Sequence, residues 1–281
     1  MPLVVVPTPI GNLEDITLRA LRALREADVI ACEDTRRTVK LLNHYEIKKP
    51  LVSYHRHNEK SRAEELISRV ESGESVALVS DAGTPGISDP GYILIQKTLE
   101  KRLPLDVLPG PNAILPALLL SGIAPSPFTF VGFLEGREGE KKRRLESLAK
   151  HENALVFYIA PHALARDISF IEASLGDRQA AIVREISKIH QETIRGALGE
   201  LAALAEQRTL KGEIVLVVEG QTARDGCEAD ESEWKGEAIR LKSEGIFVKN
   251  IAKMLSSRYG IACNRVKAFL LREENSDDYN E

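Results

Sequence analysis

Short β-branched runs alternate with amphipathic stretches along this chain as far as Val218. Runs at Leu3–Val6, Val29–Cys32, Leu51–Tyr54, Val76–Val79 and Leu105–Leu108 have the length and residue type of buried strands. Between them the spacing turns helical. Leu18, Leu21 and Leu24 recur three apart, and Leu66, Ile67 and Val70 fall on one helical face. Asp15 and Thr17 offer N-cap chemistry to the first helix, and Ser61 with Glu64 has the form of a capping box. Strand–helix alternation of this kind predicts a largely parallel sheet covered on both faces.

A second set follows, with strands expected at Thr129–Phe133, Leu155–Ile159, Ala181–Val183 and Ile214–Val218. Its helices are expected near Lys142–Lys150, Ala163–Ser174 and Leu198–Gln207. Pro125-Ser126-Pro127 marks the boundary between the sets, because proline continues neither element easily. Residues 219–237 are acidic and carry Gly220 and Gly226. Beyond them Arg240, Lys242, Lys249, Lys253, Arg258, Arg265, Lys267 and Arg272 face only Glu244. Apolar spacing there predicts two short amphipathic helices joined at Tyr259-Gly260-Ile261, a helix-turn-helix pattern. The expected organisation is an N-terminal α/β domain over 1–122, a second α/β domain over 123–220, an acidic linker over 221–238 and a basic helical module over 239–281.

Composition narrows the class. The chain has 281 residues, 43% apolar and 28% charged, as an ordinary globular protein does. A net charge of −4 supplies no global basic field, so any nucleic-acid surface must be local. The cysteines, Cys32, Cys227 and Cys263, are odd in number and far apart, which argues against a disulfide framework and points to a reducing compartment. The start of the chain lacks a basic region followed by a long apolar core, so no secretory signal is expected. The apolar stretch from Ala113 to Leu120 is interrupted by Pro116 and too short to span a bilayer. A cytoplasmic protein is expected.

Three glycine- and proline-rich loops follow apolar strands: Pro7-Thr8-Pro9-Ile10-Gly11-Asn12, Ser80 to Pro90, and Pro109-Gly110-Pro111-Asn112-Ala113. Ligands of open α/β sheets bind beyond the carboxyl ends of the strands, so three such loops outline one site. Neither the Gly-x-Gly-x-x-Gly turn nor the Gly-Lys-Ser/Thr phosphate loop occurs, which argues against a nucleotide phosphate cradle. The second loop instead combines Gly83 and Gly86 with Asp81, Thr84, Ser88 and Asp89, a set suited to a ligand bearing an ammonium or sulfonium group. The structural alternative for Asp89 is to cap a helix beginning at Pro90.

These residues carry a resemblance. The set Pro7 to Asp15, Glu33-Asp34-Thr35-Arg36, His55-Arg56-His57-Asn58, Ser80 to Pro85, Asp89-Pro90-Gly91 and Leu108 to Pro111 is similar to the tetrapyrrole methylase superfamily. Within it, the set most resembles the bacterial enzymes that methylate the ribose 2′-hydroxyl of a cytidine in 16S ribosomal RNA. The resemblance implies S-adenosylmethionine held in a cleft between two α/β domains, not over a Rossmann turn, and a homodimer. It implies cofactor contacts from Pro9, Asp81, Ala82, Gly83, Thr84, Ile87, Asn112 and Ala113, and from Ile159, Ile186, Glu213 and Ile214 in the second domain. At Phe157 to His162 the chain departs from that branch, which commonly has an acidic residue after the tyrosine.

A ribose hydroxyl is a poor nucleophile while protonated, so a base beside it assists methyl transfer. Glu33 and Asp34, directly after a strand, are the candidates; capping the following helix is the alternative for Asp34. His55 and His57 share a face at period two, and RNA contact suits them better than a metal, since no third ligand is evident. RNA contacts are expected from Arg36, His55, Arg56, His57 and Asn58, and from Lys249, Lys253, Arg265 and Lys267 in the basic module. Two other readings stay open: a superfamily methylase acting on a tetrapyrrole or other small molecule, and a non-catalytic RNA-binding assembly protein.

Overall fold

The computed structural model describes residues 2–221, 231–259, 263 and 265–270. Cys227, Arg272 and the turn at Gly260-Ile261 lie outside the described residues. Five strands form the first sheet: β1 (Leu3–Val5), β2 (Val29–Cys32), β3 (Leu51–Ser53), β4 (Val76–Val79) and β5 (Leu105–Val107), in the order β3-β2-β4-β1-β5. Every pairing is parallel; Leu3 lies opposite both Val76 and Leu105, and Cys32 opposite Val79 and Ser53. Strands β1, β2 and β4 are buried along their whole length, which is why their sequences read as unbroken apolar runs.

The helices α1 (Leu18–Glu26), α2 (Thr35–His44), α3 (Glu59–Glu71) and α4 (Tyr92–Glu100) connect these strands. Leu21 and Leu24 of α1 pack with Ile30 and Cys32 on one side of the sheet. Leu66, Ile67 and Val70 of α3 pack with Val29, Ala31 and Leu78 on the other. Burying such a side chain fully stabilises by about 1.5–3 kcal/mol. Thr17 caps α1 by accepting the Ala20 N–H at 3.0 Å, as its position predicts. The capping box expected at Ser61 and Glu64 does not form. The helix α3 already starts at Glu59, because Asn58 folds back to accept the His55 N–H at 2.8 Å and donate to the Ser53 carbonyl at 3.0 Å.

The second sheet contains β6 (Phe128–Phe133), β7 (Ala154–Ile159), β8 (Gln179–Arg184), β9 (Glu192–Ala197) and β10 (Ile214–Val218), in the order β6-β7-β10-β8-β9. Only β6 and β7 are parallel; the other pairings are antiparallel. Its helices are α5 (Ile114–Ser121), α6 (Glu138–Leu148), α7 (Leu164–Leu175) and α8 (Leu198–Gln207). Ala117 and Leu118 of α5 pack directly on Val156, Val183 and Val215 of this sheet. The helix that ends the first set of elements is thus seated on the second, and residues 1–146 and 154–218 form one compact unit.

A separate unit comprises residues 147–153 and 219–281. Its helices are α9 (Glu231–Ser243) and α10 (Val248–Tyr259), with residues 265–270 also helical. Helix α9 begins inside the segment expected to be an acidic linker. Trp234, Ala238 and Leu241 form an i, i+4, i+7 stripe that buries against Ile251, Leu255, Val266 and Leu270, and this outweighs the acidic composition. Among the described residues no helix is long and apolar enough to cross a membrane.

Candidate active site

Parallel pairing puts the carboxyl ends of β1 to β5 on one edge, and the three loops leave that edge together. Thr8 and Gly83 exchange both backbone hydrogen bonds at 2.9 Å, a two-residue bridge between the first and second loops. The buried Thr8 hydroxyl donates to the Ser80 carbonyl at 3.1 Å. The Thr84 hydroxyl reaches the Pro111 carbonyl at 3.4 Å, tying in the third loop. Backbone freedom is required at two points. Gly83 has φ +77°, which most side chains avoid, and a Cβ on Gly110 would stand 2.7 Å from Pro7 Cβ.

The second sheet closes against this edge. Ile186 O lies 2.9 Å from where a Cβ on Gly11 would stand, and Ser187 hydrogen-bonds Asp15. Ile10 and Ala113 pack on the cluster that contains Ile186, Val183 and Val215. Lys188 holds Glu185 at 2.8 Å and Glu213 at 2.9 Å, so the turn after β8 and the start of β10 are fixed beside the first loop. Arg56 spans both sheets, donating to the Ser88 carbonyl at 2.8 Å and approaching Glu135 at 3.4 Å.

Carboxylates gather where the loops meet. Asp81 accepts the Asp34 N–H at 3.0 Å and faces the Arg37 guanidinium at 3.4 Å. Burial pushes the Glu33 carboxyl above its ordinary range, and the charges of Asp89 and Asp81 add to that rise, while the Asp81 N–H and Arg56 oppose it. Burial also raises Asp89, with Asp81 adding and Arg56 opposing. Tyr158 of β7 is pushed up to about 12 by burial and by the nearby charges of Asp89 and Glu213. Asp34 behaves oppositely: its hydrogen bonds from the Arg36 side chain and backbone lower it to about 2. Carboxyls raised by burial and like charge in a cleft are candidates for functional positions.

The structure therefore brings together Glu33, Asp34, Pro9, Asp81 to Ile87, Asn112, Ala113 and Arg56 on one edge. Ile186 and Glu213 reach that edge from the second sheet, and Ile159 pairs with Ile214 in the neighbouring strands. Ile159, Ile186 and Ile214 have buried side chains. The Asn112 side-chain amide oxygen accepts the Leu115 N–H at 3.1 Å, and Ile87 is exposed. Asp34 is the N-cap of α2, accepting the Arg36 N–H at 2.9 Å. Asp89 is no cap: α4 starts at Tyr92, its N-cap is Gly91, and no side chain caps it. His55 and His57 sit edge to face at 5.9 Å after β3, beside Arg56. Among the described residues no cluster of three or more metal-ligating side chains occurs. Lys249, Lys253 and Arg265 are exposed and Lys267 half-buried, all in the separate helical unit.

Two members of the site have only a weak sequence signal. Asp89 precedes a proline, which suggests a cap and conceals its place in the carboxyl cluster. Tyr158 stands inside an apolar strand, and only the structure sets its ring edge-on to Phe130 at 5.1 Å and Phe133 at 5.5 Å.

Comparisons with known proteins agree with this geometry. Residues 2–202 match the model of the tetrapyrrole (corrin/porphyrin) methylases. The chain is 47% identical to the ribosomal RNA small subunit methyltransferase I of Bacillus subtilis over 240 residues, covering 85% of this chain and 81% of that protein. It is 46% identical to that of Thermotoga maritima over 219 residues, covering 78% and 98%. Among solved structures, a diphthine synthase superposes with a TM-score of 0.62 at 17% identity, covering 79% of this chain and 91% of that one. A uroporphyrin-III C-methyltransferase from Thermus thermophilus in complex with S-adenosylhomocysteine gives 0.56 at 18%, covering 78% and 97%. The fold is that of these methylases, and the chain belongs to the tetrapyrrole methylase family, among its ribosomal RNA small subunit methyltransferase I members.

Proposed function

We propose that this protein transfers a methyl group from S-adenosylmethionine to the ribose 2′-hydroxyl of a cytidine in 16S ribosomal RNA. The observation that carries the proposal is the convergence of three loops from the parallel sheet with the Ile186 and Glu213 edge of the second sheet. The cradle fits the donor chemically. Gly83 turns the second loop through a positive φ and Gly110 lets the third loop close on Pro7, while the carboxyls of Glu33, Asp81 and Asp89 lie beside these loops, where they would favour a sulfonium. Pro9, Ala82, Gly83, Thr84, Ile87, Asn112 and Ala113 would hold it from the first sheet, with Asp81 entering through its main chain. Ile159, Ile186, Glu213 and Ile214 would complete the pocket.

The donor, when bound, supplies an electrophilic methyl with a neutral leaving group. The chain's own residues then have two tasks. Orientation of the ribose hydroxyl gives most of the acceleration, because a positioned nucleophile reacts as if at very high concentration. A carboxylate with a raised pKa is the better proton acceptor, so Glu33 and Asp89 are favoured for that role. Asp34 is bound to Arg36, and we place it at the start of α2 as a positioning residue. Arg36, His55, Arg56 and His57 would contact RNA at the mouth of the same edge, whereas Asn58, expected as a further contact, has its side-chain amide engaged by the His55 N–H and the Ser53 carbonyl and shapes the loop instead. Lys249, Lys253, Arg265 and Lys267 supply a second basic surface that would bind phosphates without reading sequence.

Two copies of the chain assemble in this reading. Leu115 and Leu119, four apart on α5, are 52% and 73% exposed and offer an apolar contact between them. The protein works in the cytoplasm, where its substrate is made. Incubating it with S-adenosylmethionine and either 16S ribosomal RNA, the small ribosomal subunit or uroporphyrinogen tests the proposal. Ribose methylation of the RNA alone supports it. Methylation of the tetrapyrrole alone favours the small-molecule reading. No transfer, with no thermal stabilisation by S-adenosylhomocysteine, favours a non-catalytic assembly protein.

A further inference from the structure

A cavity of about 200 Å3 opens between the first loop, the second loop and α2, against Pro9 and Asp81 of the proposed donor site. It is smaller than the roughly 300–1,000 Å3 of pockets for whole small molecules, and its size suits a single base. Pro9, Leu13 and Leu41 give it apolar walls, while Asp81, Arg37 and Lys40 give it charged ones. Arg36, Arg37, Lys40 and His44 project along the exposed side of α2 and lead away from the opening, a track on which phosphates can lie.

We infer that this cavity receives the base of the target nucleotide, turned out of its strand, and that Asp81 and Arg37 select a base with an exocyclic amine. The inference rests on the reading of the site as a ribose methyltransferase and adds where the base sits and what reads it. Enzymes that do chemistry on a base extrude it, hold it between apolar side chains and read its Watson–Crick edge, and a ribose methylase that held its target base in the same way would gain the same selectivity. Cytosine presents there an amino donor followed by two acceptors, so the matching protein edge is an acceptor followed by a donor. Asp81 and Arg37 are such a pair. One carboxylate oxygen of Asp81 is fixed by the Asp34 N–H at 3.0 Å; the other has Arg37 at 3.4 Å, too long to saturate it. Arg37 is 66% exposed, free to turn its remaining donors to the base acceptors. Uracil would set a carbonyl against the Asp81 carboxylate, and that repulsion supplies selectivity by exclusion.

The test uses the full chain, S-adenosylmethionine and two small-subunit substrates that differ only by cytidine or uridine at the methylated position. The wild type is expected to methylate the cytidine substrate about a hundredfold faster in a single turnover. Asp81→Asn, whose amide can serve either base, is expected to shrink that ratio at least tenfold. A second variant, Leu13→Trp, fills the cavity from a side chain that is 39% exposed. It is expected to slow methyl transfer at least tenfold while S-adenosylhomocysteine binds as before. An unchanged cytidine-to-uridine ratio in Asp81→Asn, or wild-type turnover in Leu13→Trp, overturns the inference alone. If the wild type methylates no ribose in either substrate, the parent reading fails, and this inference with it.

Discussion

The two sheets of the compact unit have five strands each, yet they contribute to the site in different ways. The first is wholly parallel, so every strand delivers its following loop to the same edge. Glu33, His55, Asp81 and Pro109 all lie just beyond strand ends there. The second is mostly antiparallel, so successive turns alternate between edges and only some can face the first sheet. It contributes one tight turn, Glu185 to Gln191, the start of β10 and an apolar surface for α5. A parallel sheet collects chemistry, whereas an antiparallel one supplies a wall.

The largest expected effect separates these roles directly. Gly83 in the second loop and Gly176 at the end of α7 both have a positive φ, +77° and +83°. Valine is strained at either place, and both Gly83→Val and Gly176→Val are expected to lose about 1–3 kcal/mol of stability. Only Gly83→Val is expected to weaken S-adenosylhomocysteine binding, a hundredfold or more by calorimetry. Equal loss of binding in both would mean that the parallel edge has no special part.

The carboxyl cluster gives the next effect, and its sign can be worked out. Glu33 and Asp89 are raised in the folded state, so what they add to stability is complete below the ordinary carboxylate range. It is lost as pH rises through their folded values. Once ionised, both are held at a disadvantage by burial and by their like-charged neighbours. Glu33→Gln and Asp89→Asn are therefore expected to raise the melting temperature at pH 7, with the gain vanishing toward pH 4. Turnover is expected to fall about a hundredfold or more when the residue that accepts the proton is the one replaced. Asp34 runs the other way: its contribution is present above the ordinary range and lost as pH falls through about 2.

Arg56 joins the two sheets, and Arg56→Ala is expected to raise KM for RNA about tenfold. It should also lower the salt slope of binding by about one, as loss of one phosphate contact would. The smallest effect belongs to scaffolding remote from the site. Thr17→Ala removes the cap of α1 and is expected to cost about 1 kcal/mol in denaturant unfolding while kcat stays at the wild-type value.

The parallel sheet was legible in the sequence because buried parallel strands must be apolar on both faces, and Val29–Cys32 and Val76–Val79 show it. The loops were legible because glycine and proline mark the places where the backbone departs from strand or helix. Strand β9 was not, since Glu192-Thr193-Ile194-Arg195-Gly196-Ala197 is a half-exposed edge with little apolar content. Helix α9 hid behind its acidic residues, although Trp234, Ala238 and Leu241 repeat at helical spacing. Within the site, Glu33 and Asp81 could be found by their position after strands. Asp89 was named in the same loop but left divided between ligand and cap, because a carboxylate before proline reads as a cap, and only the start of α4 at Tyr92 removes that role.

The central claim is that the converged loops place a methyl donor against one ribose of 16S ribosomal RNA. Mass mapping of that RNA after incubation with S-adenosylmethionine tests it most directly. The account predicts a single 2′-O-methylated cytidine with the wild-type chain and none with Gly83→Val. Methylation on a base, or an undiminished ribose signal with Gly83→Val, would contradict it.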